Sequence, residues 1–324
     1  MTVVVGTRGG VVPIGRGRPF LTSSDVTSLL SHRRELWVGC GDGQLWRCTG
    51  IPGPAPLVLQ VAHIETAITA LVMTPGGVLI GTIGARLWLH AGEEVLPVSG
   101  FDAAVRQHTR QAPPTGPVAV SALAIGVSGG LLAAVRGAGL FRLAAPGAEW
   151  RSALTGASGC DVTGVIAPRE EPGVVLAATG EGLAVSRDEG QTWRTNAEGL
   201  PAARLTSVAL AGSSILVATE GTGPAGAGVY RCDLDPGSAF EQCRGGLPAE
   251  LEVRPGCLSG VGGPTGVAGP TGVAGPMLVA APAGIAAADG RVWESGDEGR
   301  SWQQVGTVPH APTAVTLAPP VGWT

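Results

Sequence analysis

Two aspartates hold the same position relative to a recurring dipeptide, and paired carboxylates are the groups that cleave glycosidic bonds. Asp25 and Asp161 each stand immediately before a Val-Thr dipeptide. A glycoside hydrolase needs two such carboxylates roughly 5–10 Å apart across the scissile bond. Whether this candidate catalytic pair could act together depends on the elements that carry the two residues.

The other residue types that support catalysis or metal binding form no recognisable set. The single tyrosine, Tyr230, lies in the strand-like segment GVYRC, where a half-buried aromatic is expected. The five histidines occupy unrelated positions and no Ser-His-Asp arrangement follows from their spacing: His32, His63, His90, His108 and His310. We therefore expect no metal and no cofactor, and we lean towards a non-enzyme.

The cysteines also lack the spacing of a zinc site, since none forms a CxxC pair. They are Cys40, Cys48, Cys160, Cys232, Cys243 and Cys257. Cys232 and Cys243 flank a predicted hairpin and could approach each other, which leaves a bridge open as an alternative. In a reducing compartment we expect free thiols.

Composition indicates an all-β chain. The 324 residues are 44% apolar, and 53 glycines and 26 prolines separate short runs of Val, Leu, Ala and Ile, a pattern typical of many short strands. All 21 basic residues are arginine, which together with the abundant Ala, Gly and Pro indicates a GC-rich bacterial genome. The net charge of −4 gives no footprint for nucleic acid. The sequence has no apolar stretch of membrane-spanning length, and its N-terminus does not read as a secretory signal. We expect a cytoplasmic protein.

A four-residue pattern of apolar, hydroxyl, small and apolar residues recurs along the chain. Its hydroxyl residues are Thr27, Thr69, Ser121, Thr163, Thr206 and Thr313, at spacings of 42, 52, 42, 43 and 107 residues. The long last gap predicts one hidden copy near Val253. Short strands repeated about every 40 residues are typical of β-propeller blades.

The two ends of the chain complement each other. The chain finishes with a pattern of the opening type at 312–324 and begins with the runs that should follow it, at 1–25. Pairing them removes the exposed edges of an open array. We predict an all-β, seven-bladed β-propeller, a single domain of residues 1–324, closed by pairing of the C-terminal strand with the N-terminal blade. A Gly/Pro-rich flexible insertion at 258–276 falls in blade 6. Asp25 and Asp161 then lie three blades apart, so each is expected to cap the start of an inner strand.

Two octapeptides, SRDEGQTW at 186–193 and SGDEGRSW at 295–302, share serine, aspartate, glycine and tryptophan in fixed register. The aspartates can accept hydrogen bonds within a tight turn, and the glycines allow positive φ. The shared residues are Ser186, Asp188, Gly190, Trp193, Ser295, Asp297, Gly299 and Trp302.

The octapeptides resemble the Asp-box, or BNR repeat, of bacterial sialidase-like and Ycf48-like propellers, and the repeat pattern is also WD40/YVTN-like. The resemblance implies that the octapeptides are structural turns away from the binding face. A sialidase would also carry an Arg-Ile-Pro signature and a tyrosine with a glutamate partner, neither of which is evident here. A Ycf48-like role implies assembly of a protein partner.

The binding face is expected where turns between second and third strands meet the channel mouth. Charged residues recur at those turns, and an insertion at 106–117 is expected to rise as a loop on the same face. The candidate ligand-binding residues are Arg8, Asp42, Arg136, Glu181, Glu220, Arg106, His108 and Arg110. We expect a non-catalytic module that binds or assembles a protein partner, with no nucleic acid and no membrane insertion; a small ligand at the mouth remains open. The alternative is a glycoside hydrolase or lyase acting at the mouth of the central channel.

Overall fold

Seven antiparallel sheets form the computed structural model, which describes residues 2–318 except 16, 52, 54, 112–115, 155–160, 202–203, 222–225, 236, 249 and 261–283. The innermost strand of each sheet packs against the innermost strand of the next, and the last packs against the first. This arrangement confirms the predicted seven-bladed β-propeller.

Each blade is a meander whose strands follow the chain outwards from the axis. Blade 7 begins with β1 (Thr2–Thr7) and β2 (Gly10–Pro13). Blade 1 has β3 (Val26–His32), β4 (Glu35–Cys40), β5 (Gln44–Thr49) and β6 (Leu57–His63). Blade 2 has β7 (Ile68–Thr74), β8 (Gly77–Thr82), β9 (Leu87–Ala91) and β10 (Glu94–Pro97), and helix α1 (Phe101–Gln111) follows it. Blade 3 has β11 (Ala119–Ile125), β12 (Leu131–Arg136), β13 (Gly139–Leu143) and β14 (Trp150–Leu154).

The second half of the chain continues in the same way. Blade 4 has β15 (Val162–Ile166), β16 (Val175–Thr179), β17 (Gly182–Ser186) and β18 (Arg194–Asn196). Blade 5 has β19 (Arg204–Ala211), β20 (Ser214–Glu220), β21 (Gly228–Asp233) and β22 (Glu241–Gln242). Blade 6 has β23 (Leu258–Gly260), β24 (Gly284–Ala288), β25 (Arg291–Ser295) and β26 (Gln303–Thr307), and β27 (Pro312–Ala318) completes blade 7.

The two ends of the chain share one sheet, as predicted. Strand β27 is the innermost strand of blade 7 and pairs antiparallel with β1, from Thr2 opposite Ala318 to Thr7 opposite Pro312. Blade 7 has three strands in the described part, and its fourth is reduced to one bridge between Val11 and Phe20. Residues 319–324 of the expected blade lie outside the described residues.

Two predicted insertions lie partly outside the described residues, at 112–115 and 261–283, and the first of them needs correction. Residues 106–111, expected in a loop, belong to helix α1, because the helix buries Phe101 and Val105 against blade 3. The ring of Phe101 lies edge-on to Phe141 at 5.8 Å and to Trp150 at 4.9 Å between centroids. The insertion expected at 258–276 begins with the three strand residues of β23, and residues 261–283 lie outside the described part.

The hydroxyl of the repeated pattern joins neighbouring blades. In six blades it donates a hydrogen bond of 2.5–2.8 Å to a backbone carbonyl of the next blade, in five cases on that blade's inner strand and in the sixth at Val253, ahead of β23. The pairs are Thr27 to Ile68, Thr69 to Val120, Ser121 to Val162, Thr163 to Leu205, Thr206 to Val253 and Thr313 to Val26. The acceptor role of Val253 places the hidden repeat where the spacing predicted it.

The same six residues are bulges in their own sheets. The strand register skips each of them, so that the residues before and after pair with consecutive partners. A bulged residue is released from the ladder and its side chain is re-aimed, which lets the hydroxyl reach the next blade. In blade 6, Arg254 stands where the other repeats have the hydroxyl residue. There the link to blade 7 is a backbone hydrogen bond, which Val315 N–H donates to the Gly256 carbonyl at 2.9 Å.

Candidate functional site at the channel mouth

Small residues keep the centre of the ring open. The third residue of the repeated pattern faces the channel in four of the blades that line it, as Ser28, Ala70, Ala122 and Ala314. Because none of these side chains is large, a cavity of ≈ 960 Å³ remains at the axis. That volume lies near the top of the range of about 300–1,000 Å³ for ligand pockets.

The wall of this cavity is mainly apolar. Leucines from three inner strands line it, namely Leu29, Leu71 and Leu123, together with Leu258 of blade 6 and Val315 of blade 7. At the mouth, Ile83 lines the cavity and is 48% exposed. Such a wall favours a ligand with an apolar body.

Three charged side chains stand at one side of the mouth. Arg136 ends β12, Asp161 precedes β15, and Arg204 begins β19, and all three line the cavity. Arg136 and Asp161 form an antiparallel backbone bridge, and the carboxylate of Asp161 forms an ion pair with the guanidinium of Arg204. We call these three residues the charged corner.

The eight candidate binding residues are not brought together. Arg8, Asp42, Arg136, Glu181 and Glu220 lie where the second strand of a blade meets the third, as the repeat indicated. Of the eight, Arg136 alone is among the residues lining the described cavity. Those on α1 lie beside blade 3: Arg106 is ion-paired with Asp102, the ring of His108 lies edge-on to Phe141 at 5.8 Å, and Arg110 is exposed.

The candidate catalytic aspartates have different surroundings. Asp161 is the one carboxylate among the described residues that line the cavity, and Arg204 neutralises it. Asp25 does not line the cavity; it is exposed, and its backbone carbonyl accepts a bond of 2.8 Å from Gly41 N–H. The two carboxylates therefore do not share this site.

Sequence reasoning missed Arg204. A signal was present, because Arg204 stands immediately before the repeated pattern, in the position that Asp25 and Asp161 hold in their own repeats. Comparing that position between repeats would have shown a basic residue one blade away from an acidic one.

The two octapeptides form turns on the face opposite the mouth. They join the third and fourth strands of blades 4 and 6. Because successive strands of an antiparallel meander run in opposite directions, this turn lies at the opposite end of the blade from the turn between the second and third strands. In the first, Asp188 accepts bonds from Gln191 N–H at 2.9 Å, Thr192 N–H at 2.8 Å and the Thr192 hydroxyl at 2.6 Å. Ser186 accepts from Gly190 N–H at 2.8 Å, and Gly190 has φ of +84°.

The second turn repeats this geometry. Asp297 accepts from Ser301 N–H at 2.8 Å and from its hydroxyl at 2.5 Å, and Ser295 accepts from Gly299 N–H at 2.8 Å. The indole N–H of Trp302 donates to the Gly299 carbonyl at 3.0 Å, as Trp193 does to Gly190 at 3.2 Å. The tryptophans therefore close their own turns, and neither is among the described residues that line the cavity at the axis.

Hydrogen bonds hold both turn aspartates in the ionised form. Bonds from the side chain and then the backbone of Thr192 lower the pKa of Asp188 to about 2. For Asp297, burial acts to raise the pKa, but bonds from Ser301 and Ser295 outweigh it and the pKa falls below its ordinary value. Both carboxylates act as turn acceptors.

A glutamate in each turn ties it to the preceding blade. The carboxylate of Glu189 accepts from Ser128 N–H at 3.0 Å and from the Ser128 hydroxyl. Glu298 accepts from the Ser213 hydroxyl at 3.2 Å and from Ser214 at 3.3 Å. The octapeptides therefore lock adjacent blades together on the face away from the channel mouth.

The tyrosine and the described cysteines are core residues. Tyr230 packs between blades 4 and 5, and burial raises its pKa. Cys232 and Cys243 are free thiols that belong to different core clusters, on opposite sides of blade 5, so they do not pair. Cys160 lies outside the described residues. No group of three or more potential metal ligands occurs in the part of the chain that the structure describes, and no helix there could cross a membrane.

The comparisons with known proteins establish the fold alone. No protein-family model matches the chain, and no curated protein sequence matches it. The WD40 β-propeller domain of Doa1 has a TM-score of 0.61 at 13% identity, covering 89% of this chain and 84% of that one. The WD40 domain of Neurospora crassa Pan2 has a TM-score of 0.57 at 12% identity, covering 91% and 83%. Virginiamycin B lyase from Staphylococcus aureus has a TM-score of 0.56 at 10% identity, covering 95% and 88%.

Proposed function

We propose that this chain is a single-domain, non-catalytic propeller that binds or assembles a protein partner at the channel mouth. The observation that carries the proposal is the open cavity of ≈ 960 Å³ with an apolar wall and one charged corner. Such a cavity, held by hydrogen bonds between blades, offers shape and charge to a partner without reorganisation. We place the protein in the cytoplasm, where its described thiols stay reduced.

Two further observations support a binding role. WD40 domains are among the solved structures that share this fold, and propellers of that type typically bind proteins. The two octapeptide turns, with their aspartate acceptors and closing tryptophans, support a place among the Asp-box propellers. In both turns these residues stabilise the scaffold and leave the opposite face for recognition.

The alternative, a glycoside hydrolase or lyase at the mouth, has less support. It needs two carboxylates at one cavity, whereas Asp161 is held by Arg204 and Asp25 stands apart from the cavity. Virginiamycin B lyase shares the fold, but at 10% identity that likeness does not extend to chemistry.

Co-purification with a blocked channel tests the proposal. The full chain is immobilised as wild type, as Ser28→Trp, which adds an indole to the cavity lining, and as Ala145→Trp, a control at an exposed turn on the opposite face. We expect a stoichiometric protein from the native host on wild type and on the control but not on Ser28→Trp. Circular dichroism and size-exclusion chromatography check that all three are folded.

A glycoside panel provides the opposing result. The binding role is refuted if wild type cleaves a glycoside, if both Asp161→Asn and Ser28→Trp lose that activity, and if the immobilised wild type retains no host protein.

A further inference from the structure

We propose that the charged corner recognises a carboxylate carried by an acidic, apolar-flanked segment of the protein partner. This inference rests on the proposed function and adds the chemistry of the bound segment.

The first observation is an excess of positive charge. Arg136, Asp161 and Arg204 are the charged residues among the described lining of the cavity, so two guanidiniums face one carboxylate. Arg204 is paired with Asp161, whereas within the described residues the guanidinium of Arg136 makes no ion pair or hydrogen bond. One cationic group is therefore left for an incoming ligand.

The second observation is that the three residues are contiguous. Side chains of directly opposed residues in an antiparallel bridge project from the same face with Cβ atoms about 4.5–5.5 Å apart. The bridge between Arg136 and Asp161 therefore puts their side chains side by side, and the ion pair adds Arg204 on the far side of Asp161. A ligand carboxylate beside Asp161 can reach both guanidiniums.

The chemistry of arginine favours a carboxylate. The planar guanidinium binds a carboxylate through two parallel N–H···O bonds, and Arg204 already pairs with one in Asp161. With side-chain exposures of 42% for Arg204 and 30% for Asp161, both groups are open to a ligand from the mouth. A cationic ligand is disfavoured because the carboxylate of Asp161 is already neutralised.

The apolar wall defines what must flank the carboxylate. Leu71, Leu123 and Val118 line the same cavity as Arg136, and Ile83 also lines it at the mouth. An isolated carboxylate would leave that surface unfilled. A chain segment with an aspartate, a glutamate or a free C-terminus next to apolar residues would cover the wall and meet the arginines.

Peptide selection tests the inference on the folded chain. A displayed library of random heptapeptides is selected against wild type, and the recovered peptides are measured by fluorescence anisotropy. We expect enrichment of peptides with an acidic residue beside apolar ones. Arg136→Gln with Arg204→Gln should weaken their binding by on the order of 10- to 100-fold, the range for charged hydrogen bonds. The control Arg194→Gln, on the exposed outer strand β18 of blade 4, should leave binding unchanged.

Two further arms separate the ligand classes. Asp161→Asn removes the competing carboxylate, so it should preserve or strengthen binding of acidic peptides; a tenfold loss would overturn the inference. Titration with hexanoate asks whether a small carboxylate suffices. Hexanoate binding without any peptide binding overturns the assignment to a protein segment.

Failure of this inference is distinguishable from failure of the proposed function. If selected peptides lack acidic residues, or the double glutamine variant binds them as wild type does, carboxylate recognition is wrong. Loss of the same peptides in Ser28→Trp would then still support a protein-binding channel. Absence of both peptide and protein binding refutes the proposed function.

Discussion

Replacing Thr206 by valine removes one hydroxyl from the ring of bonds between blades and preserves side-chain shape. Thr206 is 2% exposed, and its hydroxyl donates at 2.7 Å to the carbonyl of the buried Val253. The substitution leaves that carbonyl without its partner between blades 5 and 6. Loss of one partner of a buried hydrogen bond costs about 1–3 kcal/mol.

The shift in melting temperature follows from the size of the chain. With an unfolding entropy of about 2.1 cal/mol/K per residue, 324 residues correspond to roughly 0.7 kcal/mol/K. A loss of about 1–3 kcal/mol then lowers Tm by roughly 1.5–4.5 °C. Thr163→Val should behave alike, because Thr163 is also buried and donates at 2.8 Å to Leu205.

The assay compares Thr206→Val and Thr163→Val with Thr195→Val, an exposed strand threonine whose replacement should change stability by less than about 0.5 kcal/mol. Calorimetry gives Tm, and equilibrium denaturation gives the free energy of unfolding where unfolding is reversible. If the two buried variants lose no more stability than Thr195→Val, the hydroxyl ring does not stabilise the blade junctions and the reasoning is refuted.

Three other perturbations have defined outcomes. Asp188→Ala should lower the free energy of unfolding by about 1 kcal/mol at pH 7, as loss of a capping side chain does. Because the pKa of Asp188 is lowered to about 2, the difference in stability between variant and wild type should shrink as the pH falls from about 4 towards 2. Measurements of Tm against pH for both proteins check this. Gly246→Ala should destabilise by about 1–3 kcal/mol, because Gly246 has φ of +95° and an added Cβ would lie 2.0 Å from the Trp302 carbonyl oxygen; the control Gly296→Ala meets no atom within 4 Å and should be neutral in thermal unfolding. With Cys160→Ser, the five described cysteines should resist a thiol reagent at pH 8 until the protein unfolds, since burial raises their pKa to about 11–12.

Each of these can fail in a specific way. A deficit of Asp188→Ala that stays constant down to pH 2 would show that the carboxylate charge does not stabilise the turn. Equal stability of the two alanine variants would contradict the contact at Gly246. Rapid labelling of native Cys160→Ser would mean that a described thiol is accessible.

The repeat and the closure of the ring could be predicted from the sequence because both depend on local patterns that recur. Thr27 and its equivalents stand at the same bulge in six inner strands, and that register appears in the sequence as a fixed spacing. The complementary ends of the chain predicted the pairing of β27 with β1 for the same reason. The octapeptide turns could also be predicted, because the hydrogen bonds of their serines, aspartates and tryptophans join residues at most four positions apart.

The tertiary structure alone decided which residues meet at the channel mouth. Arg136 and Asp161 are 25 positions apart, and Arg204 is 43 positions further on, so only the packing of blades 3, 4 and 5 brings them together. Helix α1 was misread as a loop because its stability comes from burying Phe101 against blade 3, a contact between distant residues. Spacing encodes what a segment does within its own repeat, whereas contacts between repeats exist only after the ring has closed.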